Sequence, residues 1–189
     1  MGLLQTEVRV FDLETIGTTL KLDAGNELRK LLVTRIEKLK GDAESLVAQY
    51  WVWVQENNNG LKADQQNGLR LRERQVNFGP RLESRPSGKY VKHVPTWTLY
   101  RYSGMRTRST KSAKYGERIK MNANKEYTLS GLLKYSTVSD RGKIIKTETK
   151  LMAIREQLEM YHEMIVSMDR RAKRIERILN KHEEAQNNE

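Results

Sequence analysis

The residues with most chemistry to offer lie between Leu69 and Lys120, where cations and aromatic rings alternate. Guanidinium and ammonium groups neutralise phosphates and release counterions, while Tyr and Trp rings stack on bases or support a guanidinium plane. Arg70, Arg72 and Arg74 recur at every second residue. On a β-strand they share one face at steps of roughly 6–7 Å. Lys92, Arg101 and Arg118 belong to neighbouring strand-like stretches, and Arg106, Arg108, Lys111 and Lys114 crowd a segment bounded by Gly104 and Gly116. Trp97, Tyr100 and Tyr102 are the rings that would stack on bases or back an arginine. Together these residues predict a nucleic-acid contact surface. A basic ribbon and loop suit the grooves and phosphates of duplex DNA better than a stacking platform for single strands. The same rings are also what a small sheet builds its core from, so each is open to either role.

Catalysis has less to stand on. His93, His162 and His182 are far apart, with no HExxH spacing, and neither a Gly-rich phosphate loop nor a nucleophile elbow occurs. Asp140 with Glu148-Thr149-Lys150 is similar to the carboxylate and Glu-x-Lys grouping that positions a divalent metal in some nucleases. Glu148 also opens a predicted helix, where an acidic side chain stabilises the first turn without any metal. A non-enzymatic protein with no cofactor and no bound metal is expected; a nuclease using Asp140, Glu148 and Lys150 is the minor alternative. Met152, Met160, Met164 and Met168 read as packing.

The charge distribution supports a binding role. The chain has 189 residues and a formal net charge of +11, but residues 1–68 carry 8 basic and 10 acidic side chains, residues 69–150 carry 20 and 6, and residues 151–189 carry 7 and 8. The middle segment alone is therefore +14. So one-sided a block repels itself, which a polyanion would relieve. An acidic protein surface or lipid head groups are the other partners of that sign. No apolar run approaches the ~18–20 residues of a membrane span. The chain lacks cysteine and begins without a basic, then apolar, leader. A reducing, cytoplasmic setting without disulfides is expected.

These residues must be positioned by elements, and the periodicity suggests which. Residues 1–25 read as a strand or arm. From Asn26, a predicted N-cap, Leu32, Ile36, Leu39, Ala43, Leu46, Tyr50 and Trp53 form one helical stripe. The spacing predicts a helix over 26–58, divided or kinked at Gly41 and stopped by Asn57-Asn58-Asn59-Gly60. Residues 69–146 read as a basic β-rich head. Its strands are Leu69–Phe78, Tyr90–Val94, Thr96–Tyr102 and Glu117–Met121, broken by Gly79-Pro80, Arg85-Pro86-Ser87-Gly88 and Pro95, with a helical turn over Leu129–Tyr135. From Thr147 the 3-4 rhythm of Leu151, Ile154, Leu158, Tyr161, Ile165, Met168, Ala172, Ile175 and Leu179 predicts a helix over 147–185, leaving 186–189 to fray. The expected fold is α+β, a small twisted antiparallel sheet flanked by two long heptad-patterned helices and packed as one domain. The helices pair within the chain, and the stripe from Leu151 to Ile175 also makes a homodimer.

The order of Ala48-Gln49-Tyr50-Trp51-Val52-Trp53, Leu69-Arg70-Leu71-Arg72, Trp97-Thr98-Leu99-Tyr100-Arg101 and a long charged C-terminal helix resembles the MobI-type mobilisation proteins of conjugative elements, over residues 40–180. The resemblance implies an auxiliary factor that binds an origin of transfer and helps a separate relaxase begin DNA processing. It carries over no catalytic residue. The rival reading is an inhibitor or other interaction protein whose basic head covers an acidic protein groove.

Overall fold

Apolar side chains spaced by three and four hold a single long helix at the start of the computed structural model, which describes residues 13–69, 75–102 and 114–186. Helix α1 spans Leu13–Gln66 and is followed by β1 (Phe78–Ser87), β2 (Tyr90–Tyr102), β3 (Lys114–Arg118), α2 (Leu129–Leu133) and α3 (Arg141–Gln186). A three-stranded antiparallel sheet with helices is the α+β class expected.

Several boundaries differ from the expected ones, each for a physical reason. The predicted N-terminal arm is helical from Leu13, because Leu13, Ile16 and Leu20 fit a helical period as well as an alternating one; residues 1–12 lie outside the described residues. Helix α1 passes unbroken through Gly41 and through Asn57-Asn58-Asn59-Gly60. Asn58 spends its amide elsewhere, donating to the Val76 carbonyl at 2.9 Å and accepting from the Val76 N–H at 2.8 Å. Val54 and Leu61 meanwhile continue the buried stripe beyond Tyr50. The helix ends at Gln66, and Gly68 just beyond it has a φ of 76° that suits a residue without Cβ. Gly68 N–H bonds to Gln65 and Leu69 N–H to Asp64, a Schellman arrangement. Helix α3 begins at Arg141, six residues before the expected Thr147. The Asp140 carbonyl accepts the first helical bond, from Ile144, and its carboxylate accepts from Thr137 N–H and, at 2.6 Å, Thr137 Oγ1.

The sheet also absorbs residues expected to break it. β1 pairs with β2 from Phe78↔Leu99 to Ser87↔Tyr90, so Gly79-Pro80 and Arg85-Pro86-Ser87 lie inside a strand. β1 is an edge strand, where proline is tolerated. Gly88 (φ 60°) and Lys89 alone make the hairpin turn. At Gly79 a Cβ would stand 2.6 Å from Trp51 Cζ2 and 2.9 Å from Tyr50 Cε1, so only glycine lets α1 approach β1 this closely. β2 runs straight through Pro95, because pairing with β3 starts only at Thr98. There β2 needs no N–H for a third strand, and the Pro95 carbonyl accepts from Arg155 Nε of α3 at 3.1 Å.

The chain forms two units, Ile36–Glu163 and Met1–Arg35 with Met164–Glu189. In the first, the core gathers Tyr50, Val54, Phe78, Trp97, Leu132 and Ile144, with a second cluster of Ala43, Ile154 and Leu158 joining α1 to α3. Trp97 is wholly buried, edge-on to Tyr50 at 5.3 Å and tilted on Phe78 at 5.5 Å. Its indole N–H donates to Glu148 Oε2 at 2.7 Å, and Glu148 in turn receives Arg155 at 3.2 and 3.3 Å. In the second unit Leu32 and Ile165 are buried and Arg29 pairs with Asp169.

Removing one partner of a buried ion pair strands the other, so Glu148→Ala should cost about 3–5 kcal/mol in urea unfolding. Glu148→Leu combined with Arg155→Met should lose less than the two single changes together; strict additivity would refute the coupling. Gly79→Ala should cost about 1–3 kcal/mol through overpacking against Trp51 and Tyr50, read from the shift of the same transition.

Candidate nucleic-acid interface

Strand alternation puts Arg81, Glu83 and Arg85 of β1 on one face, and the register sets Thr96 beside Arg81, Lys92 beside Arg85 and Arg118 of β3 beside Thr98. The Glu83 carboxylate gathers three guanidinium groups. Arg85 bonds to it through Nε at 3.1 Å and more closely through Nη2, Arg118 Nη1 lies at 3.8 Å and Arg81 Nε at 3.9 Å. Further along β2, Lys92 pairs with Glu159 of α3, which also holds Lys125 at 2.8 Å. Two of the cations expected to meet DNA, Lys92 and Arg118, are thus ion-paired in this structure.

The rings divide by environment. Trp97 is interior, which of the two roles open to it leaves the core one and not base stacking: it is wholly buried against Tyr50 and Phe78, and its N–H is engaged by Glu148. Tyr100 is half-buried, edge-on to Trp51 at 5.2 Å. Arg101, Tyr102 and Lys114 sit in the β2·β3 ladder, where Tyr102↔Lys114 is the last rung before the basic segment 103–113; their side chains lie outside the described residues. Arg70, Arg72, Arg74, Arg106, Arg108 and Lys111 lie outside the described residues entirely. Reasoning from sequence missed Arg81 and Arg85. It also missed Lys134 and Lys143, which stand over the Tyr135 and Trp53 rings at 4.9 and 5.8 Å. Their signal, a lysine beside or near an aromatic, is too common to have singled them out.

On α3 the expected interface stripe is mixed. Leu151, Ile154, Leu158 and Ile165 are buried, Tyr161 and Met168 half-buried and Ile175 exposed. The carboxylates of the nuclease alternative have structural partners. Both Glu148 oxygens are taken up by Trp97 and Arg155, Asp140 holds the start of α3, and Lys150 is exposed. Among the described residues no three His, Asp or Glu side chains converge as metal ligands. No helix among them is long and apolar enough to cross a membrane.

Residues 39–169 match the family described as MobI protein, almost the same span as the unit that carries the sheet. The chain belongs to the MobI family. No curated protein and no solved structure matches it. What sets this MobI chain in a mobilisation context is therefore the unit built of α1, the sheet and the first half of α3, the part where Trp97, Glu148 and Arg155 meet.

Four titratable groups of this unit shift the same way. Burial pushes the Glu83 carboxyl up, but the Arg85 hydrogen bond and the Arg118 and Arg85 charges outweigh it, leaving it below its ordinary 4.5. Glu159 is likewise lowered, burial being overcome by Lys125 and Lys92. Burial, aided by Lys40 at His93 and by Lys92 at His162, lowers both histidines from 6.5 against the pull of nearby glutamates. Each folded value lies below the unfolded one, so each group contributes stability at higher pH and loses it as the pH falls. Thermal stability should decline first below about pH 6.5, from the histidines, and again below about 4.5, from the carboxylates. Melts across that range check the sign, and a His93→Gln, His162→Gln variant should flatten only the first decline.

Proposed function

We propose that this MobI-family chain is a non-enzymatic, cytoplasmic duplex-DNA-binding protein that acts at an origin of transfer as an accessory to a separate relaxase. The observation that carries the reading is the +14 charge of residues 69–150, within the span that matches the family. Arg70, Arg72, Arg74, Arg101, Arg106, Arg108, Lys111 and Lys114 are its contact residues, with Lys92 and Arg118 reaching phosphate by exchanging their carboxylate partners for it. Phosphate contacts of this kind set affinity and orientation, while base edges supply any sequence preference. The ladder rung Tyr102↔Lys114 supports the loop reading, since it brings together the two ends of the segment that holds Arg106, Arg108 and Lys111. Exposed Ile175, Ile178 and Leu179 on α3 support self-association through the remainder of the apolar stripe.

Fluorescence anisotropy on labelled duplex, single-stranded DNA and RNA across a salt series tests the reading. Tight duplex binding that survives nonspecific competitor is expected. Replacing Arg106, Arg108, Lys111 and Lys114 with Ala should weaken binding on every sequence and flatten the salt dependence, by about 0.9 in log–log slope for each phosphate left unneutralised. An unchanged slope would remove the loop from the interface. Weak binding to all three nucleic acids would assign the positive segment to an acidic protein instead.

A further inference from the structure

The cluster around Glu83 has an uneven layout. Its side chain is 15% exposed, whereas those of Arg81, Arg85 and Arg118 are 51%, 46% and 36% exposed. The carboxylate lies beneath and the guanidinium groups open to solvent above it. Thr96, fully buried beside Arg81 in the register, has its hydroxyl 3.5 Å from the Arg81 carbonyl. One carboxylate among three guanidinium groups leaves these four side chains with a net charge of +2. The second three-member group is built differently: Glu159 and Lys92 are equally exposed, at 25% each, and the carboxylate is shared by only two cations.

Three guanidinium groups within 4 Å of one buried-side carboxylate already converge on a single point. A guanidinium fork fits phosphate as it fits carboxylate, with two parallel N–H···O bonds. The cluster is also continuous with the basic segment, because Arg118 closes the strand that Lys114 opens. We propose that Arg81, Arg85 and Arg118 form a phosphodiester-binding site on the sheet, and that Glu83 is a built-in counter-ion that orients the three arginines and weakens the site's affinity. The inference rests on the duplex-binding reading above and adds a site that the loop cations do not require.

Anisotropy on the same duplex, with the full chain, tests it through two variants of opposite sign. Arg81→Ala, Arg85→Ala and Arg118→Ala together should lower affinity and reduce the log–log salt slope by about 2–3. Glu83→Gln keeps the shape but removes the negative charge, so it should bind more tightly than wild type and with a slope steeper by about 1. A purely structural Glu83 would give no such gain. Melting curves confirm that each variant is folded, and should the triple variant unfold, Arg85→Gln alone, at an exposed position, takes its place. If wild type binds duplex and neither the arginine variants nor Glu83→Gln changes the slope, this site is overturned while the duplex-binding reading stands. If wild type does not bind duplex, both fall.

Discussion

The ion pair between Glu148 and Arg155 is the constraint on which the rest of this fold depends. Two charges withdrawn from water persist only when every remaining polar group around them is satisfied. Here Glu148 receives the Trp97 indole as well as Arg155, and Arg155 also bonds the Pro95 carbonyl and lies 5.1 Å over the Tyr127 ring. Tyr127 closes the circuit by accepting the Trp97 main-chain N–H at 3.0 Å. One seven-residue step on α3 thus reads both the side chain and the backbone of β2. It does so at the stretch of β2 that β3 does not reach, an edge that would otherwise present unpaired backbone groups.

The same step recurs. Glu148, Arg155, His162 and Asp169 are spaced by seven and, among the described side chains, are the buried polar residues of α3 beyond Thr147. His162 shares a hydrogen bond with Ser87 Oγ at 3.0 Å and meets the Tyr90 ring edge-on, so the hairpin end of the sheet is held by the next turn pair after Arg155. Asp169 takes Arg29 within the other unit. A polar stripe beside an apolar one specifies register more sharply than apolar contacts do, since a slip of one residue would leave several buried groups without partners.

Much of the fold was legible in the sequence because period is a strong signal. The stripes from Leu32 to Trp53 and from Leu151 to Ile165, the stretch that forms β2 and the short helix near Leu132 all followed from it. What was not legible depends on distant residues. Nothing local says that Asn58 will bond Val76 and let α1 continue, or that Trp51 and Tyr50 demand the glycine that places Gly79-Pro80 inside a strand. Reading that dipeptide and Arg85-Pro86 as loop punctuation hid Arg81 and Arg85 from the candidate cations. Trp97, open to either role from its sequence neighbours, is decided by another distant residue: its 51-residue reach to Glu148 makes it the centre of the core.

The distribution of negative charge then links fold to function. Residues 69–150 contain only six carboxylates. Glu148 is bound to Arg155 and Trp97, Asp140 holds the start of α3, Glu126 and Asn122 close a turn by reciprocal bonds, and Glu83 lies beneath three arginines. Each of these four acids has partners within the fold, and six carboxylates cannot balance twenty cations. Four of the segment's six carboxylates are thus engaged within the fold, and even with Glu159 of α3 shared by Lys92 and Lys125 the segment keeps a large positive surplus. Self-repulsion of that surplus works against the folded state, and a polyanion laid across it removes the penalty. A scaffold whose buried ion pair is satisfied from within, carrying a segment of net charge +14, is an arrangement in which binding a polyanion and stabilising the fold would act in the same direction.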